Sequence, residues 1–199
     1  MPYDHDVFLS YRRHGEWPQW VRNTFAPMFR HWLGEELDDV KIFIDENLEA
    51  GKSWPQELGR ALGNSKIIVP LFSRQYFSSP WCQRELAHMF AREAAVEFRT
   101  QKQPAGLIVP AHIHGHQFPK RAQAIQAAQL QLYTNPWVAK GSVTEERLAE
   151  KIREWTPQIA AAIRSAPPHN DSWTTIAIEE FMREFAEVET KQTVPPSLG

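Results

Sequence analysis

The chain holds one cysteine in 199 residues, Cys82, which excludes an internal disulfide and any zinc site built on several thiolates. It has no excess of either charge: 22 Lys+Arg stand against 24 Asp+Glu, a formal net charge of -2. Sequence-independent nucleic-acid binders carry a basic excess, so that class is disfavoured. Long apolar runs are missing. The longest, Ile67 to Phe72, falls far short of the ~20 residues of a membrane span, so no membrane partner is expected. No basic-then-apolar segment opens the chain, because Asp4 and Asp6 stand where its positive charge belongs. The expectation is a soluble, cytoplasmic protein. The nine glycines make no phosphate-loop pattern, and no internal repeat is visible. What is present is ordinary globular material, 42% hydrophobic and 23% charged. A chain of this length buries about 70% of its unfolded surface, enough for one domain without a structural metal.

Strand-like and helix-like segments alternate. Asp6 to Tyr11 is an apolar run closed by Arg12-Arg13, and Val40 to Ile44 is a second strand ending at Asp45. Between them, Val21, Phe25, Met28, Phe29 and Trp32 recur at helical steps, with a kink expected at Pro27 and a stop at Gly34. Glu46 to Ser53, with Gly51 inside it, reads as an exposed, mobile loop, followed by a short helix from Trp54 to Gly63 and a strand from Lys66 to Phe72. Ser79-Pro80 caps and opens a helix running to about Phe98. Leu107 to Val109, continuing toward His114, is a fourth strand and Leu130 to Tyr133 a weak fifth. Ser142 to Glu145 matches a capping box, and Pro157 is expected to split the helix behind it in two. Strands alternating with helices imply a parallel sheet covered on both faces.

The main domain is placed at 1–166, ending at the Pro167-Pro168 breaker, with an extension over 167–199. Trp173, Ala177, Phe181, Phe185 and Val188 fall at helical spacing in that extension, over about 172–189, with a disordered tail behind them. This helix either packs on its own domain or docks a partner.

In an open parallel sheet, ligands bind beyond the carboxyl ends of the strands. Ser10, Tyr11, Arg12 and Arg13 follow the first strand, and Asp45 and a loop ending at Trp54 follow the second. A helix opening with Trp81 and Glu85 follows the third. Cations, an acid, aromatic platforms and a helix start converge there, a rim suited to a ligand with phosphates and flat rings. These same stretches, Asp6 to Arg13, Phe43 to Gly51 and Ser79 to Leu86, resemble the three signature blocks of the TIR (Toll/interleukin-1 receptor) family, in order and at family spacing. The resemblance covers about residues 4 to 98.

It implies a flavodoxin-like five-stranded parallel sheet with helices on both faces, to which the C-terminal helical extension is added. It also implies one of two activities. TIR enzymes cleave the nicotinamide–ribose bond of NAD+, giving nicotinamide and ADP-ribose or a cyclic or conjugated product; other members are non-catalytic scaffolds acting by homotypic association. In the enzymes an essential glutamate lies four residues after a tryptophan, the place of Glu85 after Trp81, so Glu85 is the expected catalytic residue. Ser10, Tyr11, Arg12, Arg13, Asp45, Gly51, Trp54 and Trp81 are the expected substrate-binding residues. NAD+ is then a substrate, with no cofactor and no metal. A single TIR domain of this kind resembles the bacterial proteins of anti-phage defence, which implies self-association through TIR–TIR contacts and, for a messenger product, a separate effector protein that reads it.

The chemistry suits one carboxylate. Ordinary glycosidases need a second carboxyl group to protonate a poor leaving group. Nicotinamide leaves a pyridinium cation as a neutral molecule, so what remains is to stabilise a positive ribosyl centre, which an ionised Glu85 can do. Trp81 or Trp54 would wall the site, and the paired arginines suit a pyrophosphate. Other readings are weaker. Asp45 as a phospho-acceptor would require an acidic pair after the first strand, where Ser10 and Tyr11 stand. His112, His114 and His116 alternate as metal ligands would, but Gly115 interrupts them. Cys82, near a helix start, is expected to be a packing group, and Trp20, Trp32 and Trp155 to be core.

Overall fold

The computed structural model describes residues 2–45, 54–101, 104, 106–115 and 118–193, with side chains as far as Arg183. Its centre is β1 (His5–Tyr11), a strand whose last five residues are all buried because helices cover both faces. Five parallel strands stand in the order β2-β1-β3-β4-β5: β1, β2 (Ile42–Ile44), β3 (Ser65–Phe72), β4 (Ala111–His112) and β5 (Ala128–Gln129). This is the flavodoxin-like order, and it places the reversal of strand order between β1 and β3. Leu9 registers against Ile44 on one side and Val69 on the other, so the carboxyl ends of β1, β2 and β3 reach the same rim.

The first helical region is α1 (Trp17–Trp20), a π-helical turn (Val21–Phe25) and α2 (Ala26–Gly34) in direct succession. The kink expected at Pro27 takes this form. Pro27 has no N–H to give to Asn23, and the Ala26 N–H reaches back five residues to the Val21 carbonyl. Trp20 and Phe25 are buried and Trp32 is half-buried against the same core.

Three findings correct the sequence expectations, two of them proline effects. The strand expected over 107–109 is a single bridge between Ile68 and Ile108, followed by the two residues of β4. Ile68 donates to the Leu107 carbonyl and accepts from Val109 (2.8 and 3.0 Å), but the next donor along β3 is Pro70, which has no N–H. The fifth strand lies at Ala128–Gln129 and not at 130–133, because Ala128 donates to the Pro110 carbonyl and Leu130 to His112 (3.0 Å each), after which the chain turns through a Tyr133–Leu130 bond. Finally, Pro157 does not divide α6 (Val143–Ser165). The carbonyl it leaves without an N–H partner, that of Arg153, accepts instead from the Thr156 hydroxyl (3.1 Å).

α3 (Trp54–Gly63) and α4 (Pro80–Ala95) carry the second and third blocks of the rim. A short helix, α5 (Lys120–Gln123), precedes β5. α4 ends at Ala95, short of Phe98, because Glu97 takes a left-handed φ of 55° and the Phe98 N–H closes on the Glu93 carbonyl (2.9 Å). The buried Glu93 carboxylate then ties the incoming chain to α4, accepting from the backbone of Leu107 (2.6 Å) and Ile108 (3.0 Å). α6 is capped by Ser142 as the motif predicts.

The extension forms α7 (Asp171–Thr193), beginning one residue before the expected start and running past the expected end at 189 into the stretch read as a disordered tail, whose remainder, 194–199, lies outside the described residues. α2 and α6 pack together on one face of the sheet, while α3, α4 and α7 share the other. Trp173, Ala177 and Phe181 are buried, so α7 packs on its own chain. Its contact with α3 is backbone to backbone: a Cβ on Gly63 would stand 2.4 Å from Thr174 Cα, and one on Gly59 2.8 Å from the Ala177 carbonyl oxygen. The fully buried Arg92 adds a second tie, donating to the Ser65 carbonyl (2.9 Å) and Tyr3 Oη (3.1 Å) with its guanidinium 4.3 Å from the Trp173 ring centroid. Burial pulls its pKa down to about 10, which leaves it charged at neutral pH. No helix of the described residues is long and apolar enough to cross a membrane.

Gly63→Ala should therefore lower stability by about 1–3 kcal/mol through overpacking, read as a lower urea midpoint. Gly34→Ala is the control, since a Cβ there meets nothing within 4 Å and the midpoint should hold or rise.

Candidate active site

At the carboxyl end of β1, beside the reversal of strand order, lies a small cavity of about 100 Å³. Ser10, Tyr11, Arg12, Arg13, Asp45, Trp54, Trp81 and Glu85, eight of the nine residues singled out from the sequence, line it. The ninth, Gly51, lies outside the described residues, as does the rest of the 46–53 loop. Typical ligand pockets hold about 300–1,000 Å³, so a dinucleotide would enter this one by one end only. A larger cleft of about 630 Å³ opens at the opposite end of the sheet, around Tyr3, Asp38 and His169. Its cations are already engaged: Lys66 pairs with Asp6 (2.7 Å) and Arg164 donates to the Glu36 carbonyl (2.7 Å). It also lies away from the strand ends that bind ligands in such sheets.

Glu85 stands on the second turn of α4, one turn beyond Trp81, and the helical step puts both on one face. Glu85 is 6% exposed, and its carboxyl is hydrogen-bonded through Oε2 to Ser10 Oγ. Burial pushes its pKa up to about 8, the Ser10 bond opposes the rise, Asp45 adds to it and Arg13 opposes it. Burial thus favours the neutral form of the carboxyl over the ionised form that the expected chemistry uses. Ser10, expected to face substrate, is shut inside at 1% exposure and joins Glu85 to the hydroxyl of Tyr76 (2.7 Å).

The mouth is basic. Arg12 donates to Ser79 Oγ (3.2 Å), and its Nε, closed off from solvent, has no hydrogen-bond partner among the described residues. A buried guanidinium N–H left without an acceptor suits an incoming anion. Arg13 is tied to Asp45 by an ion pair of 2.5 Å and by a bond to its backbone carbonyl. Asp45 also accepts from Trp54 Nε1 (3.4 Å), and its carboxyl is raised by burial against the opposing pull of Arg13 and Trp54. It anchors its surroundings, as a loop-holding acid does. Trp54 and Trp81 meet edge to face at 4.5 Å and form the apolar wall. Behind Trp81 stands Phe181 of α7, at 5.9 Å.

Two residues of the site carried no sequence signal for it. Tyr76 sits in the turn before α4 and is wholly buried. Ser79 is legible as the cap of α4, accepting from Cys82 N (3.4 Å), but it also holds Arg12. Cys82 is a buried packing group, its thiol pushed up by burial, which excludes a reactive thiolate. His112 bonds to Gln129 (3.3 Å), His114 lies against Trp17, and His116 is outside the described residues. Among the described residues no three His, Cys, Asp or Glu side chains group as metal ligands would.

Because folding raises the Glu85 pKa from 4.5 to about 8, its stabilising contribution is complete below pH 4.5 and is lost as pH rises through 8. Glu85→Gln should match wild-type stability near pH 4 and exceed it near pH 9. At ~1.4 kcal/mol per pKa unit the gain is bounded at several kcal/mol, measured as a pH-dependent difference in urea midpoint.

The family model of the TIR domain matches residues 7–140. Over 85 residues the chain is 41% identical to the probable disease resistance protein RPP1 of Arabidopsis thaliana, covering 43% of this chain and 6% of that protein. Over 197 residues it is 26% identical to SUPPRESSOR OF npr1-1, CONSTITUTIVE 1 of the same plant, covering 97% of this chain and 12% of that protein. Among solved structures, the TIR domain of the Toll-related receptor TRR-2 from Hydra magnipapillata aligns at a TM-score of 0.46 and 17% identity, over 62% of this chain and 82% of that one. The chain spans only 6% and 12% of the length of these two plant relatives. A family match that takes in more than half of the chain and every described residue of the cavity leaves one conclusion: the chain belongs to the TIR domain family.

Proposed function

We propose that this TIR protein cleaves the nicotinamide–ribose bond of NAD+ as part of an immune response, with Glu85 as the catalytic carboxylate. The observation that carries the reading is a buried carboxyl facing a tryptophan-walled cavity whose mouth holds two arginines. Trp54 and Trp81 would hold the flat nicotinamide, and Arg12 and Arg13 the pyrophosphate. A pyridinium cation beside Glu85 pulls its pKa down, so binding itself ionises the group, with its proton passing to solvent. The C–N bond then breaks with its electron pair on nitrogen, releasing neutral nicotinamide. The Glu85 carboxylate stabilises the positive ribosyl carbon. Water attacking that carbon gives ADP-ribose and a proton that Glu85 can accept; an adenine nitrogen gives a cyclic product, and another nucleophile a conjugate. No metal or resident cofactor is needed for any of these outcomes.

The immune setting is supported by the disease-resistance relatives, and an anti-phage role remains within the proposal. Self-association also belongs to it. The small cavity and the Arg13–Asp45 pair describe a closed site, and contact between copies through TIR surfaces would free Arg13 for phosphate. If the product is a messenger, its reader is a separate effector protein.

Incubation with NAD+, resolved by chromatography and mass, should show nicotinamide release, rising in kcat/KM with pH through a limb near 8 and in kcat through a lower one. Glu85→Gln should fold and lose about 10²–10³ in kcat. No release at high protein concentration overturns the enzyme reading in favour of a non-catalytic TIR scaffold. Specific activity should rise with protein concentration; activity that stays flat across a dilution series of a monomer overturns the assembly requirement alone.

A further inference from the structure

We infer that Tyr76 is a positioning residue for Glu85, acting through Ser10 as the pivot of a hydrogen-bond chain that can run in either direction. The inference rests on the reading of Glu85 as the catalytic carboxylate. Three groups stand in line: Tyr76 Oη is 2.7 Å from Ser10 Oγ, and Ser10 Oγ is bonded to Glu85 Oε2. On its far side Tyr76 Oη reaches the Cys82 carbonyl at 3.4 Å. All of these groups are buried, so water does not supply substitutes.

Each hydroxyl has one proton and can accept as well as donate. When Glu85 is protonated, the chain runs outward from it: Glu85 donates to Ser10, Ser10 to Tyr76, and Tyr76 to the Cys82 carbonyl. When Glu85 is ionised, the chain reverses, with Tyr76 donating to Ser10 and Ser10 donating to the carboxylate. The Cys82 carbonyl then keeps its place in the helical ladder of α4. Both protonation states are therefore satisfied without moving a heavy atom. The phenol makes this possible, since Ser10 alone has no other acceptor in the chain to which its proton can turn. Burial raises the Tyr76 pKa, so the phenol reorients its proton and does not lose it. The charges around Glu85 come from other elements: Asp45 after β2 opposes ionisation, and Arg13 after β1 favours it. Cys82 lies on α4 itself, near Arg12 and with its thiol held neutral by burial. None of these can take the place of Tyr76 in line with Ser10.

Tyr76→Phe removes the donor that reinforces the Ser10-to-carboxylate bond, so Glu85 ionises at higher pH. The acidic limb of kcat/KM should move up by about half to one unit, a loss of about 3- to 10-fold at pH 7 that is recovered near pH 10. The second measurement does not use NAD+: the pH at which the stability difference caused by Glu85→Gln levels off, determined with and without Tyr76→Phe, marks the folded-state pKa and should move up by the same amount. If it moves and NAD+ is not cleaved, the relay stands and the enzyme reading falls. If it does not move, or if activity falls equally at every pH, the positioning role is overturned. Should Tyr76→Phe fold poorly, fluorotyrosine at position 76, a stronger phenol donor, should move both pH values down, and no movement overturns the positioning role.

Discussion

The structure turns on a carboxyl group held out of water at the point where the strand order reverses. Glu85 is where it is because α4 begins after the short turn that follows β3, with Ser79 and Pro80 setting its first turn, so that the second turn faces the end of β1. Burying the group raises its pKa and favours its neutral form, and only Ser10 and the distant pull of Arg13 work against that. On the proposed function an arriving cation would complete the electrostatics of the site, while burial alone disfavours an uncompensated charge there.

Much of this was legible in the sequence where residue type and spacing coincide. Trp81 and Glu85 at a helical step, Ser79-Pro80 at a helix start and the arginine pair after a strand all stand together at the cavity. Tyr76 was not legible, because a tyrosine in a turn has no periodicity and its role appears only when β1 brings Ser10 beside it. The prolines misled in opposite directions. Pro157 reads as a helix break, yet a neighbouring hydroxyl supplies the missing partner; Pro70 sits in an apolar run that reads as unbroken strand, yet it removes the donor that β4 would need to lengthen. In both, the outcome depends on whether one carbonyl finds another donor, which hydrophobic pattern does not encode.

The extension changes what counts as the unit of structure. Although the family match ends at residue 140, α6 and α7 supply core on both faces of the sheet. α7 touches the two helices that carry Trp54 and Trp81, and Phe181 stands directly behind one of them. The tryptophan wall of the cavity thus rests on a helix beyond the family boundary.

The contact between α3 and α7 has a consequence for how this chain can vary. At Gly59 and Gly63 the nearest facing atoms are main chain, which every residue of α7 possesses whatever its side chain. No compensating substitution in α7 can therefore make room for a side chain at either position. The two glycines are constrained by the path of the opposite backbone, while the α7 residues that face them are constrained much less, so drift in this interface should be one-sided.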